Sequence, residues 1–185
     1  MTVSAAPDAA LLVFKRERIL QAYLGTNPAG EYPLTAFSGG PGPKLCEGDR
    51  QIPEGIYRIV LLNPASRFHL SLKLDYPNDF DRLHAAAEGR TSPGSDICIH
   101  GGASSVGCIA VGDRAIEEIY GLVARCGKEH VRVILAPYDM RGGRDSGLER
   151  NACGKVWYAD LCARIEEALR AYPRPEKMRS AISPL

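Results

Sequence analysis

Between residues 11 and 74 every apolar run is cut short by glycine, proline or charged residues, so the first half of this chain can form only short strands. Leu11 to Lys15 and Arg18 to Leu24 are β-type runs, and Arg16-Glu17 between them suits a tight hairpin. Tyr32 to Phe37 is a third candidate strand. Ser38-Gly39-Gly40-Pro41-Gly42-Pro43 is the densest cluster of turn residues and excludes regular structure. After Glu47-Gly48-Asp49-Arg50, Pro53-Glu54-Gly55 predicts another turn. Ile56 to Leu62 and Phe68 to Leu74 complete the set. In the last run Phe68, Leu70, Leu72 and Leu74 alternate with His69, Ser71 and Lys73, the period of a strand with one wet face.

The second half is mixed. Ile97 to His100 reads as a short strand ending at a glycine pair. Asp113 is placed to cap a helix through Arg125, with Ile116, Ile119, Tyr120 and Val123 on one face and Cys126-Gly127 closing it. Val131 to Ala136 is a strand ended by Pro137. Lys155 to Tyr172 is the longest helical pattern, with Trp157, Leu161, Ile165, Leu169 and Tyr172 on one face and Pro173 as its stop. No internal repeat interrupts this order. The expected organisation is one domain over residues 11–172, with flexible termini at 1–10 and 173–185.

Composition narrows the function classes. A chain of 185 residues with 45% hydrophobic and 24% charged residues is an ordinary globular one. It is long enough to hold a core without disulfides or metal. A net charge of +1 argues against an electrostatic nucleic-acid binder. No apolar run approaches the about 18 residues of a membrane span. Met1 to Ala10 lacks the basic start of a signal peptide, so the chain as written is expected in the cytoplasm, or in the periplasm or cell wall if a leader has been removed. The six cysteines include no C-x-x-C pair, which argues against a structural zinc site. Cys126 and Cys162 read as small buried fillers and Cys98 as packing.

His100-Gly101-Gly102-Ala103-Ser104-Ser105-Val106-Gly107-Cys108 is the most informative segment. Acyl transfer by cysteine needs a thiolate, a base to make it and N–H donors for the oxyanion. A histidine at a strand end and a cysteine eight residues on, joined by a glycine-rich loop, can supply all three. On spacing alone two other readings stay open. The pair can be coincidental, or Cys98, His100 and Cys108 can ligate a metal, although a fourth ligand is missing.

Ser105-Val106-Gly107-Cys108 after His100-Gly101 resembles the signature of the L,D-transpeptidase (YkuD-type) catalytic domain, in its short-spacer murein branch. Gly42-Pro43-Lys44, Glu47-Gly48-Asp49, Pro53 to Ile59, Tyr76 to Asp81, and Gly112-Asp113 with Ile116 to Tyr120 are similar to the same family, in the same order. The resemblance implies a mainly β, α+β fold: a β-sandwich of mixed sheets with a helix after the cysteine and a C-terminal helix. It implies Cys108 as nucleophile and His100 as its base and later acid, the Gly101 carbonyl orienting the imidazole. Backbone N–H groups around Gly107 and Cys108 would form the oxyanion hole, and Ser105 would shape the loop or contact substrate. The implied substrates are peptidoglycan stem peptides cut at the diaminopimelate–D-Ala bond, with no metal or organic cofactor.

One departure is Ala110, where many members carry arginine. Arg58, Arg67, Lys73 and Arg82 are the cations available to bind a substrate carboxylate instead, and Tyr76 and Asn78 are candidates for a substrate loop. His69, His84 and His130 match no motif. The expected function is acyl transfer on stem peptides through a thioester. The alternatives are an L,D-carboxypeptidase of peptidoglycan recycling and a non-catalytic wall-peptide binding domain.

Overall fold

The computed structural model describes residues 9–175. Its strands are β1 (Ala9–Phe14), β2 (Ile19–Leu24), β3 (Asn27–Pro33), β4 (Gly55–Ser66), β5 (His69–Leu74), β6 (Cys98–His100), β7 (Ile109–Ala110) and β8 (Val131–Ala136). Its helices are α1 (Asp79–Ala87), α2 (Asp113–Cys126), α3 (Ser146–Cys153) and α4 (Tyr158–Leu169). The strands form one mixed sheet in the order β3-β2-β1-β8-β4-β5-β6-β7.

β1 is apolar at all six positions because it is buried on both faces. It pairs antiparallel with β2 and parallel with β8. Ala9, Leu11 and Val13 enter one core with Val131, Val133 and Leu135 of β8, while Ala10, Leu12 and Phe14 enter a second with Ile134 and Ala136. The first core is closed by α2, through Ile116, Ile119, Leu122 and Val123, and by Leu72, Leu74, Ile99 and Ile109 from the far part of the sheet. The second is covered by α4, through Tyr158, Leu161, Cys162, Ile165 and Leu169. Both faces of the central strands are therefore covered. β4 makes this possible: Gly55–Arg58 pair with β8, and the rest of the strand leaves to pair with β5. Register shifts interrupt the β4–β5 ladder, and Pro64, which has no N–H to donate, lies in one of them.

Several elements depart from the sequence expectation. The third strand is Asn27–Pro33 rather than Tyr32 to Phe37, and Ala36 makes only an isolated bridge to Ala110. β3 is an exposed edge strand, where Pro28 and Pro33 are tolerated and no apolar alternation is needed. Gly55 opens β4 instead of ending a turn, and β4 runs on to Ser66. α1, β7 and α3 were not expected. The C-terminal helix begins only at Tyr158, because Gly154 in a left-handed conformation ends α3 just before it. Of the termini expected to be flexible, 1–8 and 176–185 lie outside the described residues. Ala9 and Ala10 are fully buried in β1, and the Pro173 carbonyl accepts a 2.7 Å hydrogen bond from Tyr23.

Candidate active site

His100 ends β6, with Ser71 opposite it on β5. It is 2% exposed. Its Nδ1 lies 2.7 Å from the Gly101 carbonyl oxygen. A carbonyl can only accept, so Nδ1 carries the hydrogen and Nε2 keeps the lone pair of a base. Phe68 stacks on the ring at 4.5 Å between centroids, and the Arg67 guanidinium lies 4.7 Å from the Phe68 ring centre.

Residues 101–108 join β6 to β7, which are parallel neighbours. Parallel strands usually need a crossover of about a dozen residues, so this shorter loop is tight. Gly101 has no room for a side chain: a Cβ there would lie 2.6 Å from the Phe68 carbonyl oxygen and 2.7 Å from the Asp113 carboxylate. Gly107, at φ +84°, takes a conformation that side chains disfavour. Its N–H donates to Ser38 Oγ at 2.8 Å, and that hydroxyl donates to the Arg50 carbonyl at 2.8 Å. The Gly107 N–H, expected among the oxyanion donors, is thus committed to Ser38. Cys108 N–H is the remaining candidate of that pair. Ser105 Oγ donates to the Cys108 carbonyl at 2.8 Å, which assigns it to shaping the loop.

Two further anchors were missed. Thr35 Oγ1 donates to the Gly102 carbonyl at 2.8 Å, and Gly102 N–H donates to Asp113 Oδ1 at 2.7 Å. Asp113, expected as a helix cap, is the first residue of α2; the cap position is Gly112. The signal for Asp113 was present in the Gly112-Asp113 block. No local pattern marks Thr35 or Ser38, which reach the loop from distant sequence.

The Cys108 sulfur accepts from the Cys98 N–H at 3.4 Å and faces the Asp96 carbonyl oxygen at 3.5 Å. Its pKa is lowered by the neighbouring Cys98 thiol, with further help from the His100 ring and the Cys98 N–H, while burial opposes the shift. The Cys98 thiol is correspondingly raised. Cys98, expected as packing, therefore stands at the nucleophile candidate. Among the described residues no three His, Cys, Asp or Glu side chains converge as a metal site, so Cys98, His100 and Cys108 do not make one.

The residues expected to bind substrate are engaged elsewhere. Arg58 pairs with Asp75 at 3.1 Å. Tyr76 is buried with its hydroxyl donating to the Pro93 carbonyl at 2.7 Å. Asn78 caps α1 and donates to the Ile56 carbonyl at 3.1 Å. Arg82 bonds the Pro77 carbonyl and Asp79. Of the four cations considered, the two that border the site are Arg67, on Phe68, and Lys73, which lies opposite Cys98 in the β5–β6 ladder and pairs with Asp96. His69 bonds Glu117 at 2.7 Å, and His84 stacks on Trp157.

Behind the loop lies a buried ion pair. Lys15 Nζ donates to Glu54 Oε1 at 2.9 Å and to the carbonyls of Gly42 and Ile52 at 2.6 and 2.8 Å. Glu54 also accepts from Gly42 N–H at 2.8 Å and from the Tyr158 hydroxyl at 2.5 Å. Asp49 accepts from Lys44 and from the N–H groups of Leu45, Cys46 and Gln51. These contacts order the segment that presents Ser38 to Gly107.

A family model described as the YkuD L,D-transpeptidase catalytic domain matches residues 8–135. YafK of Escherichia coli (strain K12), which carries the provisional designation L,D-transpeptidase, is 32% identical over 148 residues, covering 75% of this chain. The match covers 56% of YafK, so the chain spans little more than half the length of that relative. Pgp2 of Campylobacter jejuni, described as a helical cell shape determining protein, has a TM-score of 0.58 at 23% identity, covering 73% of this chain and 49% of Pgp2. Bd1075 of Bdellovibrio bacteriovorus has a TM-score of 0.54 at 19% identity, covering 91% of this chain and 57% of its own. At these identities the two structures share the mixed, curled sheet with flanking helices.

Proposed function

Since this chain belongs to the L,D-transpeptidase (YkuD) catalytic-domain family, we propose that it is a cysteine acyl-transfer enzyme acting on peptidoglycan stem peptides at the diaminopimelate–D-Ala bond. One observation carries the reading: a histidine locked in one tautomer by the Gly101 carbonyl at 2.7 Å stands beside a cysteine and helps to lower its thiol pKa. In the proposed reaction the Cys108 thiolate attacks the carbonyl at the L-centre of diaminopimelate. His100 holds the thiol proton and gives it to the leaving amine of D-Ala. The Cys108 N–H is the candidate donor to the oxyanion. An acceptor amine or water then attacks the thioester, His100 takes its proton, and the Cys108 thiol is restored. Transfer and hydrolysis share every step but the last.

The test is incubation of the protein with a disaccharide tetrapeptide, with products read by mass spectrometry. A 3→3 crosslinked dimer or exchange of the terminal D-amino acid is the outcome expected for transfer, and tripeptide with free D-Ala marks a carboxypeptidase. The Cys108→Ala variant should form neither. Equal product from wild type and Cys108→Ala would sink the catalytic reading and leave a wall-peptide binding domain.

A further inference from the structure

Cys98 opens β6, and Cys108 is the last loop residue before β7, the parallel neighbour of β6. Ile99 pairs with Ile109 and His100 with Ala110, and just before this ladder the Cys98 N–H donates to the Cys108 sulfur at 3.4 Å, which brings the two cysteines side by side. Their sulfurs share a neighbour: the Asp96 carbonyl oxygen lies 3.7 Å from Cys98 Sγ and 3.5 Å from Cys108 Sγ. Asp96 holds that carbonyl there at φ +56°. The charged and titratable groups facing the pair are His100 from β6, Lys73 from β5 and Asp96 from the loop before β6. Lys73 and Asp96 pair with each other, so their effects on the sulfurs oppose.

Each thiol has one proton. With both cysteines neutral, both protons can point at the Asp96 carbonyl, in long and weak contacts. When Cys108 ionises, that carbonyl repels it, while the Cys98 S–H has a full negative charge beside it. A charge-assisted hydrogen bond is about twice as strong as a neutral one, so the Cys98 proton turns to the thiolate. We propose that Cys98 is a positioning residue for Cys108, its S–H turning from the Asp96 carbonyl to the neighbouring sulfur and holding it ionised. The lowered Cys108 and raised Cys98 pKa values have the signs this requires. A packing residue would make no such demand, and a methyl group would serve as well.

The proposal rests on Cys108 as the nucleophile, yet its test needs no substrate. Iodoacetamide alkylation is followed from pH 5 to 10, with Cys98 and Cys108 distinguished by peptide mass spectrometry. In Cys98→Ala the alkylation midpoint of Cys108 should rise by about one unit, cutting its rate at the acid end about tenfold. The high-pH plateau should not fall, because a more basic thiolate is intrinsically more nucleophilic. In Cys98→Ser, whose hydroxyl can still donate, most of the wild-type midpoint should return. An unchanged midpoint in Cys98→Ala, or the same rise in Cys98→Ser, overturns the proposal. If Cys98→Ala fails to fold, wild type decides alone: Cys98 must stay unalkylated well above the Cys108 midpoint, and matching midpoints overturn the proposal. A wild-type Cys108 titrating as a free thiol near about 8.5 would instead sink the nucleophile reading itself.

Discussion

His100 has little freedom: its ring is held by the Gly101 carbonyl on one edge and by Phe68 on one face. In the proposed reaction that constraint supplies Cys108 with a base without recruiting an Asn or Asp side chain. Removing the ring in His100→Ala should lower turnover of the tetrapeptide by on the order of 100-fold or more. A steady-state comparison with wild type checks this, and a loss below about tenfold would mean another group takes the proton. At this scale the sequence was readable where chemistry and backbone demands coincide in one short segment. His100, Gly101, Gly107 and Cys108 are such a segment. Ser38 and Thr35 were not readable, because an exposed hydroxyl in a loop looks the same whether or not a distant N–H or carbonyl folds back onto it.

Among the elements, α1 shows what a cap can do with little hydrophobic help. Only Ala85 is buried along it. Its start is held by a capping box: the Asn78 side chain accepts from the Asp81 N–H, and the Asp81 carboxylate accepts from the Asn78 N–H. The Asn-x-x-Asp spacing was present in the sequence, but without an apolar stripe it did not declare a helix. Asp81 is half-buried, and the loss of solvent around its carboxyl raises its pKa from 3.8 to about 6 despite the hydrogen bonds from Asn78 and Tyr57. The folded state therefore binds this proton more tightly than the unfolded chain does. The stability contribution of Asp81 is greatest below pH 3.8, is lost as pH rises through about 6 and is level above that. Asp81→Asn should remove this slope, so the difference in urea midpoint between variant and wild type should shift in favour of the variant from pH 4 to 7. A constant difference across that range would show that the Asp81 carboxyl keeps its ordinary pKa in the fold. β3 makes the complementary point, since an exposed edge strand is defined by its pairing with β2 and carries no alternation to read.

Across the whole molecule, the Lys15–Glu54 pair ties together parts that are far apart in the chain. Lys15 follows the central strand β1, Glu54 precedes β4, and Tyr158 opens α4; all three are buried. Burial lowers the Lys15 pKa, and the Glu54 carboxylate acts against that. In Lys15→Met a buried carboxylate loses its counter-ion, and stability should fall by about 3–5 kcal/mol. Lys15→Met with Glu54→Leu should recover part of that loss, because the double variant leaves no charge unpaired. Urea unfolding of the three proteins measures both effects, and a double variant no more stable than Lys15→Met would show that the carboxylate is not the source of the cost. From the sequence the Pro53-Glu54-Gly55 block read as a turn, although Glu54 is 1% exposed and joins this network. What the sequence determined by itself was the β1–β2 hairpin, the strands β5, β6 and β8, the helix after the cysteine and the His-to-Cys loop, because periodicity, glycine placement and motif spacing act within a few residues. What only the tertiary structure decided was the partnership of residues distant in the chain. Examples are Cys98 with Cys108 where β6 and β7 begin, Ser38 with Gly107 across a loop, and Lys15 after β1 with Glu54 before β4. Such contacts depend on strand order and on which face each side chain takes, and those are settled only when the whole core closes.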